Sequence, residues 1–153
     1  WGHWLGARTV VPRAVGVTVG AYSGRFNPER LLEGLAKHRF TNMSAAATHY
    51  RMLKNCGKAD DHEFVFQKLS FTGEPIDDDT AQFIWKRFGL EVCSMYGTTE
   101  IGVVLVSYPG APDFTVKRGS LGKPVPGSRV EVHDDQGNAC APGVTGQRMV
   151  LRR

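Results

Sequence analysis

A tyrosine, a glycine, two threonines and a glutamate follow one another as Tyr96-Gly97-Thr98-Thr99-Glu100, between the apolar stretch 90–95 and a second apolar run, 101–107. Hydroxyls that donate hydrogen bonds to phosphate oxygens, beside a carboxylate that can hold a hard cation such as Mg2+, make a phosphate-and-metal corner. An ordinary loop with a capping threonine has the same composition, and five residues alone do not separate the two readings. A second glycine-bearing break, Gly73-Glu74-Pro75, follows the alternating stretch Lys68-Leu69-Ser70-Phe71-Thr72. In a parallel sheet ligands bind beyond the carboxyl ends of the strands, so two such breaks on neighbouring strands would share one crevice. Glycine lets the backbone approach a flat ligand there, and the Tyr96 ring offers a face on which a purine can stack.

The elements that must position these residues alternate between strand-like runs and amphipathic helices, which points to α/β layers with a mostly parallel sheet and flanking helices. Residues 15–19 read as a strand. Asn27 then supplies an N-cap with Pro28 at the first helical position, and Leu31, Leu32 and Leu35 form a stripe opposite Glu29, Arg30, Glu33 and Lys37. Residues 40–47 read as another strand. Thr48 is placed to cap a short helix carrying Tyr50, Met52 and Leu53 and stopped near Gly57, and the polar stretch 58–63 reads as a solvated loop. After Gly73-Glu74-Pro75, the run Asp77-Asp78-Asp79 opens a helix whose dipole favours negative charge in its first turn, a cheaper account than a metal cluster. Ala81, Ile84, Trp85 and Phe88 then recur at helical spacing, and Gly89 closes the helix.

Beyond 108 the helical pattern ceases. Residues 129–133 alternate, Asp134-Asp135-Gln136-Gly137 makes a turn, and 146–153 resumes as strand. The expected organisation is an α/β part, 1–108, followed by an incomplete β-rich, barrel-like part, 109–153.

The chain has 153 residues and suits one domain, but it opens on Trp1 without an initiator methionine and closes inside a strand-like run. A piece of something larger is expected. Nineteen basic against 15 acidic residues give a formal charge of +4, scattered too thinly to argue for nucleic acid. Cys56, Cys93 and Cys140 lack the spacing of a disulfide framework or a zinc site, so a reducing, cytoplasmic setting is expected. No stretch approaches the roughly 18 apolar residues a membrane span requires. Cys93 reads as core, Trp1, Trp4 and Trp85 as core or as facing absent segments, His49 and His133 as structural, and Lys123 as surface.

Taken together, the segments resemble the adenylate-forming acyl-CoA synthetases of the AMP-binding superfamily across nearly the whole chain. Tyr96-Gly97-Thr98-Thr99-Glu100 is similar to the family's Tyr-Gly-x-Thr-Glu signature, and Gly73-Glu74-Pro75 to its adenine-side Gly-Glu-Pro. Gly24-Arg25-Phe26-Asn27-Pro28-Glu29, Ala47-Thr48-His49-Tyr50-Arg51-Met52-Leu53 and Gly119-Ser120-Leu121-Gly122-Lys123-Pro124-Val125-Pro126-Gly127 resemble further segments in the family's order. The resemblance implies ATP- and Mg2+-dependent conversion of a carboxylic acid to an acyl-adenylate, followed by transfer to coenzyme A with release of AMP. It implies catalytic roles for Thr99 and Glu100, with Glu100 on the metal. It also implies a nucleotide site of Gly73, Glu74, Pro75, Tyr96, Gly97 and Thr98. Gly97 stands where acetate-specific relatives carry tryptophan, which implies a larger acid, medium-chain fatty or aromatic.

The chain departs from the family at Ala46-Ala47-Thr48, which lacks the usual proline, and at Gln147-Arg148, where an acidic and an aliphatic residue are usual. An arginine in an apolar strand must face solvent or snorkel. The family's phosphate loop, ribose-gripping aspartate, hinge and carboxy-terminal lysine domain would lie outside 1–153, so the chain alone is expected to be inactive. Two other readings compete: an amino-acid-activating module of a peptide synthetase, disfavoured because 40–46 offers no carboxylate for a substrate ammonium, and a non-catalytic α/β scaffold.

Overall fold

The computed structural model describes residues 11–108, 110–117 and 119–151. Trp1, Trp4 and the last two residues of the expected strand 146–153 lie outside them. One sheet runs in the order β1 (Asn42–Ala45), β2 (Lys68–Phe71), β3 (Val92–Thr98), β4 (Gly102–Val106), β5 (Lys123–Pro124); a second pairs β6 (Arg129–His133) with β7 (Gln147–Leu151). The helices that flank the first sheet are α1 (Pro28–Lys37), α2 (Ala47–Asn55) and α3 (Asp78–Phe88). The α/β reading holds, but the sheet is mixed: β1, β2 and β3 are parallel, whereas β3–β4 and β4–β5 are antiparallel. The strand β5 lies beyond residue 109 yet joins the first sheet, and a separate β sheet begins only at Arg129.

Local chemistry accounts for the helix ends. The Asn27 side chain accepts the Arg30 amide hydrogen bond at 2.9 Å with Pro28 beside it, so α1 starts where its cap dictates. Asp77 does the same for α3, accepting from the Thr80 amide at 2.8 Å and the Thr80 hydroxyl at 2.9 Å. Gly89 ends α3 in the left-handed conformation, φ 67°.

The core gathers where α2 and α3 meet the parallel strands. Ala45, Ala47, Tyr50, Leu69, Phe71 and Ile84 are buried together, with Phe66, Phe83 and Phe88 packed around them. Leu32, Leu53 and Ala59 form an adjoining cluster. Each buried leucine of this kind contributes about 1.5–3 kcal/mol from loss of contact with water. Tyr50 is fully buried because its hydroxyl has acceptors: the carbonyls of Met43 at 3.2 Å and Ser70 at 3.0 Å.

Three expectations are corrected. Residues 15–19 do not form a strand: after one helical turn, Val11–Ala14, the chain bends, and Val15 and Val17 are 72% and 53% exposed with no ladder partner among the described residues. Trp85, expected in the α3 stripe, is 55% exposed; Phe83 packs inward with Ile84 instead. The loop 58–63 is not merely solvated. It contains the short helical turn Ala59–Asp61, and Arg87 of α3 donates to the Ala59 and His62 carbonyls and pairs with Asp60.

Candidate functional site

Strand register decides whether the two glycine breaks meet. Ala45 pairs with Phe71, and Phe71 pairs with Ser94, so β1, β2 and β3 reach the same edge of the sheet side by side. Beyond that edge lie Ala46 and the start of α2, then Gly73-Glu74-Pro75, then Tyr96 and its neighbours. Both breaks therefore follow the carboxyl ends of adjacent parallel strands.

The first corner is tied into the fold. Gly73 sits at φ 90°, a conformation that side chains resist, and this turns the chain off β2. The Glu74 carboxylate then accepts a hydrogen bond of 2.7 Å from the Thr48 amide in the first turn of α2. The Thr48 hydroxyl and amide hold the Glu74 pKa below its ordinary value, with the nearby charge of Arg51 adding to the effect. The expected cap, Thr48, thus donates its amide hydrogen rather than accepting one: the helix is capped by a carboxylate 26 positions away, and Ala46 at the N-cap position makes no side-chain hydrogen bond. Much of the Glu74 carboxylate is committed to this tie, leaving Gly73 and Pro75 exposed at the edge.

The second corner is a hairpin. β3 runs antiparallel to β4 with a bulge between Tyr96 and Gly97, Thr98 pairs with Gly102, and 99–101 turn between them. A side chain on Gly97 would place its Cβ 1.8 Å from the Gly102 carbonyl oxygen, so glycine here answers first to the partner strand. This weakens what Gly97 says about acid size. Thr98, Thr99 and Glu100 are exposed at the tip. The Thr98 hydroxyl holds the Glu100 pKa below its ordinary value, and Glu100 has no cationic partner among the described residues. No group of three or more potential ligands that could hold a metal occurs among them. A single ionised carboxylate fits Mg2+, which commonly takes one or two protein carboxylates and completes its shell with phosphate oxygens and water.

Tyr96 is half-buried, and its ring is covered by a residue from the second sheet: the Arg148 guanidinium carbon lies 4.2 Å from the ring centroid. Sequence reasoning marks Arg148 as an oddity but gives no sign of this contact. His49 is also more involved than a surface histidine. Its ring meets Phe26 edge-on at 4.7 Å, and its Nδ1 is buried without a partner. His133 is held between Glu131 at 3.0 Å and the Gly137 carbonyl at 2.9 Å. Cys93 is buried in β3, where burial raises its pKa. Lys123 donates to the Asp113 carbonyl at 2.9 Å. Of the three aspartates, Asp77 caps α3 and pairs with Arg51 at 3.1 Å, while Asp79 pairs with Lys54.

With this geometry in place, the comparisons with known proteins converge. The AMP-binding enzyme family matches residues 2–152, and the chain belongs to that family. The chain is 32% identical over 148 residues to an uncharacterized acyl-CoA ligase, YtcI, of Bacillus subtilis (strain 168), covering 95% of this chain and 27% of that protein. It is 34% identical over 125 residues to the mitochondrial acyl-coenzyme A synthetase ACSM3 of Homo sapiens, covering 80% of this chain and 20% of that one. The crystal structure of an acyl-CoA synthetase of Brucella canis superposes with a TM-score of 0.90 at 25% identity, covering 98% of this chain and 28% of the other. The chain spans between a fifth and about a quarter of the length of these curated relatives.

Proposed function

We propose that this chain forms the nucleotide corner of an AMP-forming acyl-CoA synthetase acting on a medium-chain fatty or aromatic carboxylic acid. The observation that carries the reading is the common sheet edge of Gly73-Glu74-Pro75 and Tyr96-Gly97-Thr98-Thr99-Glu100, fixed by the β2–β3 register. In this reading a carboxylate oxygen of the acid attacks the α-phosphorus of ATP and pyrophosphate leaves. The coenzyme A thiol then attacks the acyl carbonyl and AMP leaves. The edge at Gly73 and Pro75 receives the nucleoside, and Tyr96 stacks on adenine. Thr98 and Thr99 donate to phosphate oxygens, where charge rises in the transition state and a fixed donor lowers the barrier. Glu100 would hold Mg2+, which supplies charge neutralisation at the phosphates when bound.

The relatives are several times longer, and the reading places a phosphate loop, a ribose-gripping aspartate and a carboxy-terminal lysine domain outside this chain. It also keeps 1–108 and 109–153 as functional halves, with β5 tying the second to the sheet of the first. No helix among the described residues is long and apolar enough to cross a membrane, and three free cysteines accord with a reducing cytoplasm. The test is pyrophosphate–ATP exchange by the longer protein that carries this chain. Exchange is expected only with a carboxylic acid present, and absence of exchange across fatty and aromatic acids would sink the reading.

A further inference from the structure

Tyr96 supplies the aromatic face at the hairpin corner. Among the described residues no other ring packs against it; the group that does is the Arg148 guanidinium, 4.2 Å from its centroid. Arg148 comes from β7, opposite Val132 of β6, so this contact bridges the second sheet to the nucleotide edge of the first. The side chain is exposed and has no carboxylate partner among the described residues, so its charge is not committed to an ion pair. A planar guanidinium stacks on an aromatic face better than a lysine ammonium does, and the attraction grows when solvent is excluded.

We propose that Arg148 is a positioning residue for the purine base: it covers one face of Tyr96, fixes the ring, and leaves the opposite face as the stacking platform for an adenine nucleotide. The inference rests on the nucleotide reading above but assigns a role to a residue of the second sheet. A base arriving on the opposite face meets a ring already held in place, so less ring freedom is lost on stacking.

The experiment uses the longer protein and AMP as probe, followed by titration calorimetry, with inorganic tripolyphosphate as a second probe that has no base. Arg148→Leu is expected to weaken AMP about two- to fivefold, the size of an exposed cation–π contact, and to leave tripolyphosphate binding unmoved. Arg148→Lys, which keeps a cation over the ring, is expected to fall between the native protein and the leucine variant. In a Tyr96→Ala background the leucine substitution is expected to have no further effect on AMP. An unchanged AMP affinity in Arg148→Leu, an equal loss of tripolyphosphate, a loss in Arg148→Lys matching that in Arg148→Leu, or a full effect without Tyr96 would each overturn the proposal. Acid-dependent exchange by the native protein separates the two claims. Exchange with an unmoved AMP affinity removes only the role of Arg148, and failure of the native protein to bind AMP removes both.

Discussion

The two corners at the sheet edge are built in opposite ways. The Gly73 corner continues directly into the core: β2 buries Leu69 and Phe71, Glu74 ties to α2, and Asp77, four residues after Gly73, caps α3. The Tyr96 corner leaves the core instead. It stands on a bulged hairpin whose tip residues, Thr98, Thr99 and Glu100, face solvent. The result is a division of labour: the first corner is set by packing and capping before any ligand arrives, and the second keeps its side chains at the solvent-exposed tip, where Glu100 is bonded by the Thr98 hydroxyl and has no cationic partner among the described residues. Substitutions at the tip should therefore remove chemistry and spare stability, and substitutions behind the first corner should do the reverse.

The strongest loss is expected at the tip. Glu100→Gln keeps the shape and removes the charge, and loss of one transition-state stabiliser is expected to lower acid-dependent exchange about 10²-fold or more. The urea midpoint of the longer protein is expected to stay where it is, since Glu100 is exposed and has no cationic partner among the described residues. Unchanged exchange would remove Glu100 from the metal role.

Gly97→Ala probes the hairpin from within. Its Cβ would meet the Gly102 carbonyl oxygen at 1.8 Å, and relief requires a backbone shift that costs about 1–3 kcal/mol. Here a tip-side residue should behave like a core residue, with a lower urea midpoint and weaker AMP binding together. Native stability in this variant would show that the bulge adapts freely. Behind the first corner, Tyr50→Phe leaves the Met43 and Ser70 carbonyls without their hydroxyl donor and is expected to cost about 1–3 kcal/mol, with exchange per folded molecule preserved. A fall in exchange at equal folded fraction would erase the division between the corners.

How much of this is readable in the sequence follows the range of the forces involved. Asn27 with Pro28, Asp77 and Gly89 act within one helical turn, so α1 and α3 are legible from residue type and spacing. The edge shared by the two corners is legible because parallel strands joined by a helix leave few alternatives. The misses are non-local. Nothing near Thr48 signals that Glu74 will bond its amide, and nothing near Arg148 signals Tyr96. Residues 15–19 have strand composition, yet composition does not supply a neighbouring strand, and none pairs with them among the described residues. Trp85 satisfies helical periodicity, but Phe83 and Ile84 fill the space against the sheet.

The mildest perturbation asks how far the first corner depends on charge. Asp77 accepts from the Thr80 amide and hydroxyl and pairs with Arg51, and these contacts lower its pKa from 3.8 to about 2. A carboxylate whose folded pKa is depressed contributes stability that is complete above 3.8 and disappears as the pH falls through the window down to about 2. Because the side chain is 44% exposed, water screens part of that contribution. Asp77→Ala is expected to cost about 1 kcal/mol near neutral pH, the ordinary value of an N-cap. Asp77→Asn retains a capping oxygen and removes the titration, so its urea midpoint should fall less steeply than that of the native protein across the same acid window. Parallel curves for the two proteins would mean that the cap works through geometry alone, so that the charge of Asp77 adds nothing to the stability behind the first corner.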